Sequence, residues 1–218
     1  RVPFNSPAHL APDARRELEA MRDKVNGGIV GLVGGGVDGT YLRVGTELAT
    51  VLDETDGGLR VLPIAGKGSL SNIWDIVFAR GVDAGLVQSD VLAYAKREQI
   101  FPAIDSFIQY VAHLYDEEVH VLARRSVEKI EDLAFKKVNF DGLGSGTYMT
   151  ANVLFGALKF PVEATTFDQA LALEKLKAGE IAALVYVVGK PAALFTKIRP
   201  EDGLHLLRIP LSSELQQV

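Results

Sequence analysis

The chain has 218 residues, 48% of them hydrophobic, a net charge of −5 and no cysteine. That length and apolar content build a real core and exclude a disordered chain. The absence of cysteine excludes disulfides, thiol catalysis and cysteine-based zinc sites. Negative charge without a clustered basic run argues against nucleic acid as a partner, and Arg124-Arg125 and Lys136-Lys137 read as solvated surface pairs. The longest apolar run, Ile181 to Val188, falls far short of a membrane span. The chain begins at Arg1 rather than Met, so an upstream segment is expected to have been removed or left out.

In chain order, Asp13 to Lys24 predicts a surface helix that Asn26-Gly27-Gly28 stops. Ile29 to Val33 predicts a strand. A helix opened at Gly39 carries Val44, Leu48, Val51 and Leu52 on one face, and Asp56-Gly57-Gly58 ends it. Leu59 to Ile64 is a strand, Ala65 to Ser69 a glycine-rich turn, Leu70 to Ala79 a helix, Ala84 to Val87 a strand, and Ser89 to Lys96 a helix. Such alternation predicts βαβ units and a mostly parallel sheet. The rhythm then breaks. Ser106 to Tyr115 and Glu118 to Ala123 read as strands crossing from one lobe to another. It resumes with a helix over Val127 to Ala134 and a strand over Lys137 to Phe140. The helix opened by Thr147 puts Ala151, Leu154 and Leu158 on one face. Phe167 to Ala178 predicts a further helix, and Ile181 to Val188 and Leu204 to Ile209 predict strands.

Two of these junctions share a motif. Ile29–Val33 runs through Gly34-Gly35-Gly36-Val37-Asp38 into Gly39-Thr40-Tyr41, and Lys137–Phe140 runs through Asp141-Gly142-Leu143-Gly144-Ser145 into Gly146-Thr147-Tyr148. A strand, a glycine-rich loop and a helix start aim backbone N–H groups and a positive dipole end at one spot. Gly81–Gln88 also echoes Gly179–Tyr186, which supports an internal duplication. Two such spots suggest two lobes holding a small polar or anionic molecule between them.

Rival chemistries are weaker. Gly34, Gly36 and Gly39 match the dinucleotide fingerprint, but the second strand ends Pro63-Ile64-Ala65-Gly66-Lys67, without the carboxylate that holds a ribose. The same loop has Walker spacing but lacks the phosphate-binding lysine. Ser145 has glycine on both sides, which is the wrong spacing for a nucleophile elbow. His9, His113, His120 and His205 are scattered without a local motif, so neither a catalytic base nor a metal pair is expected.

Five stretches taken together resemble one family. They are Gly34–Tyr41, Gly68-Ser69, Gln88-Ser89-Asp90-Val91, Tyr115-Asp116-Glu117-Glu118-Val119-His120-Val121 and Gly144-Ser145-Gly146-Thr147. Their order and spacing resemble the TAXI family, the extracytoplasmic solute-binding proteins of TRAP-type transporters, over Gly28 to Ile209. The resemblance implies an α/β, two-lobed, type II periplasmic-binding-protein-like fold, each lobe a mostly parallel sheet flanked by helices. It implies lobe 1 over 1–108, an interlobe crossover over 109–122, lobe 2 over 123–209, and the start of a return segment or tail over 210–218. It implies no catalysis, no cofactor and no metal. The chain would capture a small organic anion or amino acid, glutamate-like or dicarboxylate, and deliver it in the periplasm to the membrane permease subunits of a TRAP-type transporter. It would be free or anchored through a segment outside this sequence.

By motif match, the first loop brings Gly36, Gly39, Thr40 and Tyr41 to the cleft, the second Lys67, Gly68 and Ser69, and the third Gln88 and Ser89. The other lobe brings Ser145, Gly146, Thr147 and Tyr148, with Tyr186 and Gly189 at the far strand end. Closure is expected about crossings near Ala103–Val111 and Arg199–Ile209. Two departures stand out. Tyr148 occupies a position where the family often carries a basic residue, which points to a less acidic ligand or a flat one stacked on Tyr41 or Tyr148. The chain also stops at Val218, without the usual C-terminal return segment, which would leave an apolar patch on lobe 1 and favour a homo-oligomer. A nucleotide-cofactor enzyme built on Gly34–Gly39 and the ligand-sensing domain of a membrane receptor stand as alternatives.

Overall fold

A computed structural model describes residues 11–37, 39–55 and 58–210. The readings that involve His9, Asp38, Asp56-Gly57 and the tail beyond Pro210 lie outside the described residues.

Helix α1 (Pro12–Asn26) starts with proline in its first turn, where no N–H partner is lost. Strand β1 (Ile29–Val33), helix α2 (Thr40–Thr55), strand β2 (Arg60–Ile64), helix α3 (Ser69–Phe78), strand β3 (Ala84–Gly85) and helix α4 (Ser89–Arg97) follow. The three strands form a parallel sheet in the order β2-β1-β3, with Val33 opposite both Ile64 and Gly85. Ile73, Val91, Ala95, Phe101, Ile104 and Ile108 make its buried core.

The second half contains β4 (Glu118–Arg124), β5 (Lys137–Asn139), α6 (Gly146–Leu158), β6 (Glu163–Thr165), α7 (Gln169–Ala178), β7 (Ala183–Val188) and β8 (Leu204–Leu206), after a one-turn α5 (Ile104–Phe107). The sheet order is β6-β5-β7-β4-β8. Its β6-β5-β7 side is parallel, whereas β4 runs antiparallel to β7 and to β8. All six residues of β7 are buried, because helices cover both faces. Alternate residues feed two cores. Val121, Ala123, Ala183 and Val185 face α6, and Leu122, Leu184, Tyr186 and Val188 face α7.

Several expected elements differ. Ser106 to Tyr115 is not a strand. The chain closes α5 at Phe107 and then runs without regular structure to Glu117, with Tyr110, Val111 and Leu114 exposed. Its apolar residues find no neighbouring strand to pair with. The helix expected over Val127 to Ala134 is a single 3-10 turn, Ile130–Leu133. There the Asp132 carboxylate accepts the Glu128 and Lys129 N–H groups, both at 3.1 Å, and this local bonding replaces the helical pattern. Asp168 caps α7 by accepting the Leu171 N–H at 3.0 Å, so that helix starts at Gln169, not Phe167. The last strand ends at Leu206 rather than Ile209, and β3 is two residues long. Among the described residues, no helix is long and apolar enough to cross a membrane.

Candidate functional site

In open α/β sheets, the loops beyond the carboxyl ends of parallel strands form the natural crevice. Here both sheets point such ends at one another. The loops after β1, β2 and β3 meet those after β5 and β6 and the last residues of β7 around a cavity of about 580 Å³.

The first half supplies a connected set of polar groups. Ser69 is fully buried at the start of α3. Its Oγ accepts the Gln88 N–H at 3.0 Å and lies 3.1 Å from the Tyr41 hydroxyl. That hydroxyl donates to Glu117 Oε2 at 3.1 Å. The loops after β2 and β3 are thereby tied to α2 and to the segment leading into β4. Burial pushes the Glu117 carboxyl up to about 7, against the lowering effect of the Tyr41 hydrogen bond. Burial, then the Glu117 charge, raises the Tyr41 and Tyr115 phenols, so both stay protonated as donors.

The second half is ordered from beneath by Asn139 on β5. Its Oδ1 accepts from Thr165 Oγ1 at 3.1 Å and from the Phe167 N–H at 2.9 Å, while its Nδ2 donates to the Phe167 carbonyl at 3.0 Å. These bonds hold the Thr166–Asp168 loop at the cavity wall. Gln169 donates through Nε2 to the Val185 carbonyl at 2.9 Å and joins α7 to β7. Asp141 opens the second glycine loop with φ of 71°, a left-handed conformation that aspartate tolerates better than most residues. Burial raises its carboxyl, opposed by the Gly142 N–H and the Ser145 and Gln169 side chains.

The halves touch directly. The Leu70 and Ser71 N–H groups at the α3 start both donate to the Gly144 carbonyl at 3.1 Å. Gly144 reaches that position with φ of 89°. A Cβ on Gly146 would collide with Gln88 Oε1 and lie 2.8 Å from Ser69 Oγ. Thr150 donates to Asp90 at 2.7 Å, and the Gly189 N–H donates to Thr40 Oγ1 at 3.1 Å.

Gly36, Gly39, Thr40 and Tyr41 line the cavity, as do Lys67, Gly68, Ser69 and Gln88. Ser145, Gly146, Thr147 and Tyr186 line it from the other side. Three expected residues do not. Ser89 is the exposed first residue of α4. Tyr148 packs on the core face of α6, at helical spacing from Ala151 and Phe155. Gly189 is buried behind Thr40 and the Tyr115 ring. The hydroxyls of Thr40 and Thr147 both serve structure, since Thr147 Oγ1 accepts the Val187 N–H at 3.1 Å.

Sequence reasoning missed the acidic wall. Glu117, Asp141 and Asp168 line the cavity, with Thr166, Gln169, Val187 and Val188. The available signals were plain: Glu117 stands within a quoted motif, Asp141 opens a glycine loop, and Asp168 precedes a helix as a cap. Each carboxylate reads individually as ordinary, and only the fold brings them together.

Two α/β halves closing on a shared cavity define the two-lobed periplasmic-binding-protein fold. Residues 32–218 match the NMT1-like family, and the chain belongs to it. Solved structures agree at the level of the fold. An ancestral arginine-binding protein bound to arginine has a TM-score of 0.57 at 16% identity, over 83% of this chain and 78% of that one. An amino acid ABC transporter substrate-binding protein from Streptococcus pneumoniae bound to L-arginine has a TM-score of 0.57 at 15% identity, over 89% and 79%. The effector-binding domain of QuiR in complex with shikimate has a TM-score of 0.57 at 11% identity, over 85% and 82%.

Proposed function

We propose that this chain is a solute-binding protein that captures a small polar organic molecule between its two halves. The observation that carries this reading is the cavity of about 580 Å³ lined by loops from both sheets. Its volume falls within the range of small-molecule sites. The arginine-bound neighbours and membership of the NMT1-like family support capture rather than catalysis. The motif resemblance to TAXI proteins supports a periplasmic location and delivery to a TRAP-type permease. The cavity residues proposed for the ligand are those given above, with Ser89, Tyr148 and Gly189 set aside, and the second half starts at β4, which pairs within its sheet, so the crossover ends before Glu118. Glutamate or a dicarboxylate fits less well than the motifs alone suggest, because Glu117, Asp141 and Asp168 line the cavity with Lys67 as the one cation among the described residues. An amino acid or amine fits better. The exposed Trp74, Phe78 and Phe107 on the first half supply an apolar surface for self-association.

Calorimetric titration with acidic, neutral and basic amino acids, diamines and dicarboxylates tests capture. At least one compound is expected to bind one-to-one in the micromolar range, about −8 kcal/mol. Heat from none of them, with the protein folded, contradicts the reading. The shikimate-bound QuiR domain favours a second use of the same cleft, as a sensor. Binding that leaves transport unaffected in a strain carrying the permease would favour that use.

A further inference from the structure

We propose that the cleft takes a ligand bearing a protonated amine or guanidinium, and that Asp141 is its anchor. This rests on the reading of the cleft as a solute site. Three carboxylates line the cavity and Lys67 is the one cation beside them among the described residues, with its side chain exposed. An exposed ammonium is solvated and screened, so it compensates the half-buried Glu117 and Asp141 poorly. None of the three carboxylates is paired with lysine or arginine among the described residues.

The three are not equivalent. Glu117 already accepts the Tyr41 hydroxyl at 3.1 Å and lies beside Tyr115 and the Gly189 N–H. Asp168 accepts the Leu171 N–H at 3.0 Å as the cap of α7. Asp141 has only neutral donors around it, in the Gly142 N–H, Ser145 and Gln169, and Asp168 as a like charge nearby. A half-buried carboxylate in that position gains most from a cation supplied from outside the chain. Gln169 gives an independent sign. It lines the same wall, is 6% exposed, and its Oε1 has no donor among the described residues. A buried acceptor without a donor is costly, and a ligand N–H beside Asp141 would satisfy it. Tyr41 and Tyr186 add aromatic surface for the ligand body.

The test titrates the full chain with L-lysine, L-arginine and putrescine, and in parallel with succinate and 2-oxoglutarate, which carry no amine. The amine set is expected to bind and the acids to stay silent. Asp141→Asn, and Asp141→Ser as a second variant, are expected to weaken the amine affinity roughly 10- to 100-fold, the size of a lost charge-assisted bond, with circular dichroism unchanged. The ligand class is read on the unaltered protein and does not depend on either variant folding. Binding by the acids alone overturns the amine assignment and leaves solute capture standing. Full amine affinity in both folded variants overturns Asp141 as the anchor. Silence from both sets overturns this proposal together with solute capture.

Discussion

Glu117 couples the cleft to pH. Its carboxyl is raised to about 7 in the fold, above the usual carboxylate value, because burial disfavours its charge. The native state therefore binds more protons than the unfolded chain between roughly pH 4.5 and 7. The stability this group contributes is fully present at low pH and is lost as pH rises through 7. Across that window the loss amounts to about 3 kcal/mol. Glu117→Gln keeps an acceptor for Tyr41 and removes the titration. Urea unfolding from pH 5 to 8 should show a shallower decline for the variant, and parallel curves would refute the role. Thr147 makes a simpler claim. It is buried and its hydroxyl satisfies the Val187 N–H. Thr147→Val should cost about 1–3 kcal/mol in unfolding free energy, the penalty of an orphaned buried donor. The glycine-flanked helix starts with their small hydroxyl residues were visible in the sequence. Which hydroxyl faces a ligand and which a neighbouring strand was not, because Thr40 finds its partner, Gly189, far along the chain.

At the level of elements, periodicity located most helices and strands, since apolar spacing and glycine stops are local properties. The failures share a physical cause. Where a side chain competes with the backbone ladder, as Asp132 does below the 3-10 turn, local composition reads as helix and the chain turns instead. Where an apolar stretch lacks a partner strand, as over 108–117, β-propensity has nothing to act on. The parallel pairing of β1, β2 and β3 followed from the βαβ rhythm, whereas their order β2-β1-β3 is seen only in the fold. The antiparallel β4, which enters the second sheet between β7 and β8, is a long-range pairing that no local pattern encodes. The α3 start shows how an element is completed from the far half. Two of its N–H groups are satisfied by the Gly144 carbonyl. Gly144→Ala forces a Cβ onto the Ser71 hydroxyl at a φ of 89°. Unfolding free energy should fall by about 1–3 kcal/mol, and equality with the unaltered protein would show that the loop relaxes freely.

At the scale of the whole molecule the two halves are in contact. Met149 on α6 packs against the core of the first sheet, and Thr150 bonds to Asp90 on α4. Solute capture requires these contacts to open and re-form around the ligand. Gly146 sits where they are tightest, against Gln88 and Ser69. Gly146→Ala should hold the halves apart, lower ligand affinity at least roughly tenfold and leave each half folded. Small-angle scattering would then show a larger radius of gyration for the variant with ligand present. The same radius and affinity as the unaltered protein would contradict closure at this contact. The most direct measurement is the electron density of the cavity in crystals grown with the tightest-binding compound. A single small molecule should lie between the Ser69–Gln88 side and Asp141, touched by both halves. Density for that compound on an outer surface, with only water between the halves, would contradict the account.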